Sequence, residues 1–343
     1  MRFSQSMCLI KDSWWLSYLI LIVMLFSLSL PSQAAIASTA KIKDCTKIQN
    51  SLAQLGSNGG EIFIPAGIYS CTKPIILDKN NILLRGAGAR TLLRLADNTN
   101  APVIIMGSAE NIPSHSTHHV EVRDLIIDGN RLNQNSECMG GPCSAEFPLR
   151  NNGISIRRCV DCQVQSVTVY GAISGGLVTE LGCRRLYVNQ YTSYDNEFDG
   201  LAGYETEDSS FNAITLFANK GAGISTDIQF NNNKFNDVTI LDNKTVGIFM
   251  RDSLDNTFIN LHIRNSSQHG IFLAQVDADT SKPATGNTFT SVVIAGSGGY
   301  GFLANDNSCI NNMMLAVQFV DNKAGCIGEA ASGLVERAGA ICR

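Results

Sequence analysis

Five residues recur along the chain at intervals of 23, 24, 23 and 24: Arg157, Glu180, Tyr204, Asp227 and Arg251. Ala274 and Asn305 continue the file. Abstracting a proton from the carbon next to a carboxylate needs a base, and a cation to neutralise the developing enolate. Tyr204 or Asp227 is suited to act as base or acid, with Glu180 beside them. Arg157 or Arg251 is suited to hold the carboxylate by a two-pronged contact. A parallel file two residues earlier runs Ser155, Val178, Ala202, Ser225, Phe249, Phe272, Leu303. It turns aromatic toward the C-terminus, so Phe249 and Phe272 offer apolar platforms for sugar rings and Asn305 a polar contact beyond them. The expected catalytic set is Tyr204, Asp227, Arg251 and Glu180. The expected substrate-binding set is Arg157, Phe249, Phe272 and Asn305, and no metal ligand is assigned. Hydrolysis would instead need two carboxyl groups roughly 5 to 9.5 Å apart. Glu180 and Asp227, two repeats apart, would lie roughly 9.6 Å apart at strand spacing, the outer limit. A solvated salt-bridge ladder is the competing structural reading of the same file.

The elements that must position these files repeat as well. A glycine followed by an apolar residue occurs at Gly153-Ile154, Gly176-Leu177, Gly200-Leu201, Gly223-Ile224, Gly247-Ile248, Gly270-Ile271 and Gly301-Phe302, with a degenerate eighth at Gly325-Cys326. The interval from Gly270 to Gly301 is 31, and Asp277 to Pro283 reads as a loop inserted there. A sustained period of this size means stacked units. Within each unit apolar and polar residues alternate, as in Ile154 and Ile156 and then Val164, Val167 and Val169, which is the pattern of strands. Three short strands and three turns fill about 23 residues. The fold class is therefore all-β, a single-stranded parallel β-helix with a short N-terminal capping helix. Asn196, Asn219 and Asn243 each stand four residues before a repeat glycine, and Asn189, Asn212 and Asn236 eleven before. Stacked on adjacent turns, such amides can hydrogen-bond along the axis. Asn243 and Asn265 also fit glycosylation acceptors, though the ladder explains Asn243 better.

Residues 42–56 have the apolar spacing of an amphipathic helix (Ile48, Leu52, Leu55), expected to cover the open end of the solenoid. The clear repeats span 153–325, and 326–343 finish the other end. Residues 131–152 read as a polar loop overhanging one face. Residues 1–35 read as an export signal: Arg2 and Lys11, the apolar run from Leu16 to Leu30, then small residues ending in Ala34-Ala35. The remaining domain, 36–343, should be secreted or periplasmic, without a membrane segment after cleavage, and a monomer. Ten cysteines remain beyond Cys8, an even number in an exported chain, which points to disulfides. Cys45 with Cys71 and Cys138 with Cys143 are the plausible local pairs. Cys159, Cys162, Cys183, Cys309, Cys326 and Cys342 stay unassigned. The Cys-x-x-Cys at 159–162 is weak ground for a metal or redox site. His115, His118 and His119 share a loop with no partner ligands around them, and His269 reads as a turn histidine. Tyr194, Asp195 and Asp199 read as turn residues. Charged residues make up 16% and net charge is −4, which argues against a coiled coil and against a nucleic-acid partner.

The stretch Gly59-Gly60-Glu61-Ile62-Phe63-Ile64-Pro65-Ala66-Gly67-Ile68-Tyr69, followed by Ile82-Leu83-Leu84-Arg85-Gly86-Ala87-Gly88, resembles the opening of the pectate-lyase superfamily of right-handed β-helix proteins. Tyr194-Asp195-Asn196-Glu197-Phe198-Asp199-Gly200-Leu201 and the next two repeats resemble the catalytic module of secreted mannuronan C-5 epimerases. The resemblance covers about residues 45 to 325. It implies a right-handed helix and a polysaccharide ligand. The family's Asp-Pro-His signature is not retained: the corresponding repeat reads Gly175-Gly176-Leu177-Val178-Thr179-Glu180. The family's further catalytic aspartate would fall near Gly203 or Tyr204. The Asp-Asp pair of the superfamily's polygalacturonases and the calcium-binding nonapeptide repeats of many secreted epimerases are both absent. Asp227, Glu180 and Asp252 could hold calcium together with a uronate, but no motif indicates a cofactor.

The expectation is a secreted carbohydrate-active protein acting on an acidic, uronate-containing polysaccharide as a lyase or epimerase. A non-catalytic glycan-binding or structural β-helix is the alternative, and a glycoside hydrolase the third reading.

Overall fold

The computed structural model describes residues 43–135, 149–275 and 282–343. The segment expected to be an export signal, the expected Cys138–Cys143 pair and most of the loops at 131–152 and 277–283 lie outside these residues. Among the described residues three parallel sheets, of fifteen, ten and six strands, wrap one continuous core. The repeats from Gly153 to Gly247 contribute one strand to each sheet; from Gly270 onward they contribute to the two larger sheets only. The middle sheet carries the repeat glycines and runs from Ile75–Leu77 through Ile104–Gly107, Ile154–Arg157, Leu177–Glu180, Leu201–Tyr204, Ile224–Asp227, Ile248–Met250 and Ile271–Leu273 to Tyr300–Ala304 and Gly325–Glu329. It thus starts two turns before the first repeat glycine.

The long-strand sheet explains a break in the alternation. In Gln163–Tyr170 the buried residues are Val164, Val167 and Val169, so the inward parity slips by one after Gln165. Ser166 has φ +52°, and Gln190, Ala213, Asp237, Asn260 and Ser291 hold the same left-handed backbone in the following turns. One left-handed residue bends the strand and exchanges its faces. The core bears a stacked phenyl ladder, Phe211–Phe235–Phe258–Phe289, with centroids 4.5, 4.6 and 5.0 Å apart.

Asparagine ladders join the turns. Asn196 Nδ2 donates to Asn219 Oδ1 at 2.8 Å and Asn219 Nδ2 to Asn243 Oδ1 at 3.0 Å. A second ladder, whose spacing departs from the strict period, runs Asn233, Asn256, Asn287, Asn312, with amide contacts of 3.2, 3.0 and 3.0 Å.

The capping helix is Thr46–Gln54, shorter than 42–56 because Lys43–Asp44 pairs as a strand with Tyr69–Ser70. Ile48 and Leu52 are its buried face. Lys79 Nζ donates to the carbonyls of Leu52, Ala53 and Leu55 at 3.2, 3.0 and 2.8 Å, meeting the acceptors a helix end leaves open. Disulfides join Cys45–Cys71, Cys159–Cys162 and Cys326–Cys342, while Cys183 and Cys309 are buried thiols. Among the described residues no helix is long and apolar enough to cross a membrane.

Candidate active site

The residue after each of the first seven repeat glycines is buried: Ile154, Leu177, Leu201, Ile224, Ile248, Ile271 and Phe302 are all fully enclosed, while Cys326 after the eighth is partly buried. The file four residues after the glycine therefore faces outward, in register: Arg157 beside Glu180, and Tyr204 beside Asp227. Over these strands lies a cleft of about 790 Å³ whose walls include Arg157, Glu180, Tyr204, Asp227 and Arg251.

The five do not play equal parts. Arg157 is only 2% exposed. Its Nε donates to Glu180 Oε1 at 2.7 Å, Nη1 to the carbonyls of Ser108 and Glu110 at 2.8 and 2.6 Å, and Nη2 to that of Asn111 at 3.0 Å. The preceding turn's loop lies over the guanidinium and takes up its donors, so Arg157 is a fastening for that loop and not an open carboxylate receptor. Asp227 Oδ2 accepts from Arg251 Nε at 2.9 Å and from Arg251 Nη2, while Oδ1 accepts the Ile228 N–H at 2.8 Å. The hydrogen bond to Asp227 holds the Arg251 guanidinium above the usual arginine range. Glu180 and Asp227 are thus each tied to an arginine.

Tyr204 differs. Among the described residues its hydroxyl has no hydrogen-bond partner. Burial, with the neighbouring charge of Asp199 next, pushes the phenol up to about 12. Its predecessor Gly203 faces the core, where a Cβ would meet the Phe230 ring at 2.2 Å. Of the two positions where the resemblance puts an aspartate, only 204 opens on the cleft.

The file ends sooner than the sequence indicates. Ala274 is buried, since the strand Ile271–Leu273 stops before it. Asn305 is exposed beyond the cleft, its amide 3.3 Å from Asp306. Phe249 and Phe272 stack 5.8 Å apart on the open side, with Arg251 over Phe249 at 5.9 Å. His269 extends this row, 5.5 Å from Phe272 and 6.1 Å from Tyr300, and its Nδ1 accepts the Tyr300 N–H at 3.0 Å. It belongs to an aromatic shelf, and burial lowers its imidazole below the usual range.

Two further residues line the cleft, Asp199, which the sequence marks as a turn residue, and Arg150, which it does not mark at all. Asp199 stands one residue before a repeat glycine, in a second file, Asn152, Gly175, Asp199, whose members all face the cleft. Its Oδ1 accepts the Ala222 N–H at 2.7 Å, and Gly221 is bare there because a Cβ would meet that oxygen at 2.4 Å. Burial raises the carboxyl to about 6, against the opposing hydrogen bond and the charge of Arg150. Arg150 is the second. Among the described residues its guanidinium makes no ion pair or side-chain hydrogen bond, and its charge is felt at both Asp199 and Tyr204. The signal for Asp199 lay in the Asp195–Gly200 stretch itself; Arg150, outside the repeats, had none.

Among the described residues no group of three or more histidine, cysteine or carboxylate side chains converges as a metal site, Asp227, Glu180 and Asp252 included. The Cys159–Cys162 disulfide accounts for the Cys-x-x-Cys, and His119 lies 3.9 Å from Asp161.

Comparisons agree with this architecture. The family described as the right-handed beta helix region matches residues 114–275 and 152–336. Mannuronan C5-epimerase AlgE4 of Azotobacter vinelandii is 25% identical over 190 residues, which is 53% of this chain and 33% of that protein. The chain thus spans about a third of the curated relative's length. ORF18 of Geobacillus virus E2 superposes with a TM-score of 0.66 at 16% identity, covering 96% of this chain and 63% of that one. The A-module of mannuronan C-5 epimerase AlgE6 of Azotobacter vinelandii gives 0.59 at 14% identity, covering 86% and 94%. These likenesses carry the fold, and with two overlapping matches across most of the repeats the chain belongs to the right-handed β-helix family.

Proposed function

We propose that this chain is a secreted carbohydrate-active β-helix protein that acts on an acidic, uronate-containing polysaccharide by proton transfer at the carbon next to the carboxylate, as a lyase or epimerase. One observation carries the reading: Asp199, Tyr204 and Arg150 line one cleft, a carboxyl raised to about 6 with a phenol raised to about 12 and a guanidinium that makes no ion pair among the described residues. Near neutral pH the carboxyl is mostly ionised and the phenol keeps its proton, so the two can serve as base and acid. Asp199 takes the base's part expected of Tyr204 or Asp227, because Asp227 is tied to Arg251 and the Tyr204 phenol keeps its proton. Arg150 takes the carboxylate-holding part expected of Arg157 or Arg251, since a loop closes over the first and the second is paired with Asp227. Proton delivery by Tyr204 to the glycosidic oxygen completes elimination; delivery to the opposite face of the same carbon completes epimerisation. The likeness to a mannuronan epimerase supports the substrate class.

Purified protein is incubated with polymannuronate, polygalacturonate and a neutral glucan. Unsaturated uronate absorbance marks a lyase, altered stereochemistry in the proton spectrum without cleavage an epimerase. Tyr204→Phe is expected to lower the rate at least about 100-fold while leaving the fold intact. Full activity in that variant refutes the assignment. The second reading is a non-catalytic glycan-binding β-helix, favoured by the missing Asp-Pro-His signature and the paired state of Glu180, Asp227, Arg157 and Arg251. Polymer binding by folded protein with no change in the polymer would establish it.

A further inference from the structure

We infer that a second cleft, around the corner from the first, binds the neighbouring acidic sugar unit of the same polysaccharide chain. The inference rests on the uronate reading above and gives it a path. Three observations carry it.

The straight path along the groove is filled at its N-terminal end. Arg157 points outward, yet the carbonyls of Ser108, Glu110 and Asn111 close over its guanidinium. A chain running along the outer face from the Phe249–Phe272 shelf meets this loop just past Glu180. A side exit exists there. A cleft of about 630 Å³ adjoins the first and shares Leu181 and Glu205 with it. On its far side stand Ile112 and Pro113, which continue the obstructing loop. A polymer turned aside by that loop passes over Leu181 into this space.

The lining suits an anion. Arg158, Arg184 and Arg185 line it with Glu205; Arg158 Nη1 donates to the Pro113 carbonyl at 2.6 Å, and Glu207 and Asp161 pair with the other two, so the lining offers guanidinium donors and not an excess of positive charge. The side chains of Arg184 and Arg185 are 57% and 54% exposed. Their partners leave donors free: Arg184 meets Glu207 through Nη2 at 3.0 Å, and Arg185 meets Asp161 through Nε and Nη2 at 2.7 and 2.9 Å. Each guanidinium has five N–H donors, so a ligand carboxylate can share the open edge. Ile112, among the most exposed large apolar side chains of the molecule, offers a flat wall for the sugar ring. A pair of solvated salt bridges alone would need neither the cleft nor that wall.

The test compares wild type with the Arg184→Gln/Arg185→Gln double variant, an Ile112→Ala variant that touches no ion pair, and a control, Arg264→Gln, on the long-strand sheet. Each is titrated with uronate oligomers of two to eight units and with polymer, by calorimetry and by KM. Two exposed charge contacts are worth about tenfold together. The double variant is therefore expected to weaken polymer binding and raise KM about tenfold, with a much smaller effect on dimers. Ile112→Ala should weaken polymer binding about threefold, and the control should match wild type. Unchanged polymer affinity in the double variant, or an equal loss in the control, overturns the second cleft while conversion of polymer by wild type keeps the functional reading. Folded wild type that neither binds nor converts any uronate polymer overturns both.

Discussion

Replacing Asp199 with asparagine separates the chemistry of this side chain from its packing, because asparagine keeps an oxygen to accept the Ala222 N–H. The wild-type carboxyl is raised from 3.8 to about 6, chiefly by burial. A group whose folded value lies above its unfolded one contributes most below the unfolded value, and its contribution is lost as pH rises through the folded value. A shift of about two units corresponds to at most about 3 kcal/mol. Asp199 still faces the cleft, so water softens that cost and about 1–2 kcal/mol is the working expectation. Chemical denaturation of both proteins, disulfides intact, is followed from pH 4 to pH 8. At pH 4 the two should be nearly equally stable. By pH 8 the variant should be the more stable by about 1–2 kcal/mol, the gap opening between about 4 and 7. Turnover should move the other way: wild-type kcat/KM climbs through about pH 6 as Asp199 ionises, and the variant loses that climb with most of its rate. A stability gap that does not change with pH refutes the buried carboxyl. A wild-type profile flat through pH 6 refutes its role as base.

Two further outcomes follow from the packing. Asn219→Ala removes a fully buried amide that accepts from Asn196 and donates to Asn243 and to the Ser193 carbonyl; it should cost about 3 kcal/mol, read by denaturant midpoint, and a loss under about 1 kcal/mol would mean the ladder is not the adhesive between turns. The Cys183 thiol, enclosed and raised to about 12, should resist a maleimide at pH 8 in native protein and react on unfolding, mapped by mass spectrometry; native labelling would show that the strand opens.

The solenoid was readable because its physics is periodic. A residue at fixed offset from each glycine meets its equivalent one turn away, so Ile154 to Ile271 are buried for one reason repeated. The Asn196–Asn219–Asn243 ladder follows from the same arithmetic, whereas the pairing of Cys45 with Cys71 rests on their local proximity in an exported chain. The second ladder was harder to see. Asn256 and Asn287 stand 31 apart because the inserted loop falls between them, and a strict period passes over them. The capping helix is shorter than its apolar spacing indicates, since the periodicity of Ile48 and Leu52 does not show that Lys43–Asp44 pairs with Tyr69–Ser70.

The site was legible only as a set of directions. Offset from the glycine shows which side chains leave the core; it does not show what lies over them once they have left. Arg157 and Arg251 hold equivalent places in the file, and by spacing alone both suit the same task. One is shut beneath the 108–111 loop, and the other is half open and pinned to Asp227. That difference comes from segments between the repeats, which follow no period. Asp199 carries the same lesson from the other side. An aspartate before a glycine is ordinary turn chemistry by local rules. It becomes a candidate base because the next turn offers the Ala222 N–H and the bare backbone of Gly221, while Arg150 arrives from outside the repeat. A β-helix supplies a regular rack of outward positions, and the irregular segments between turns decide which of them are buried, paired or left free to react.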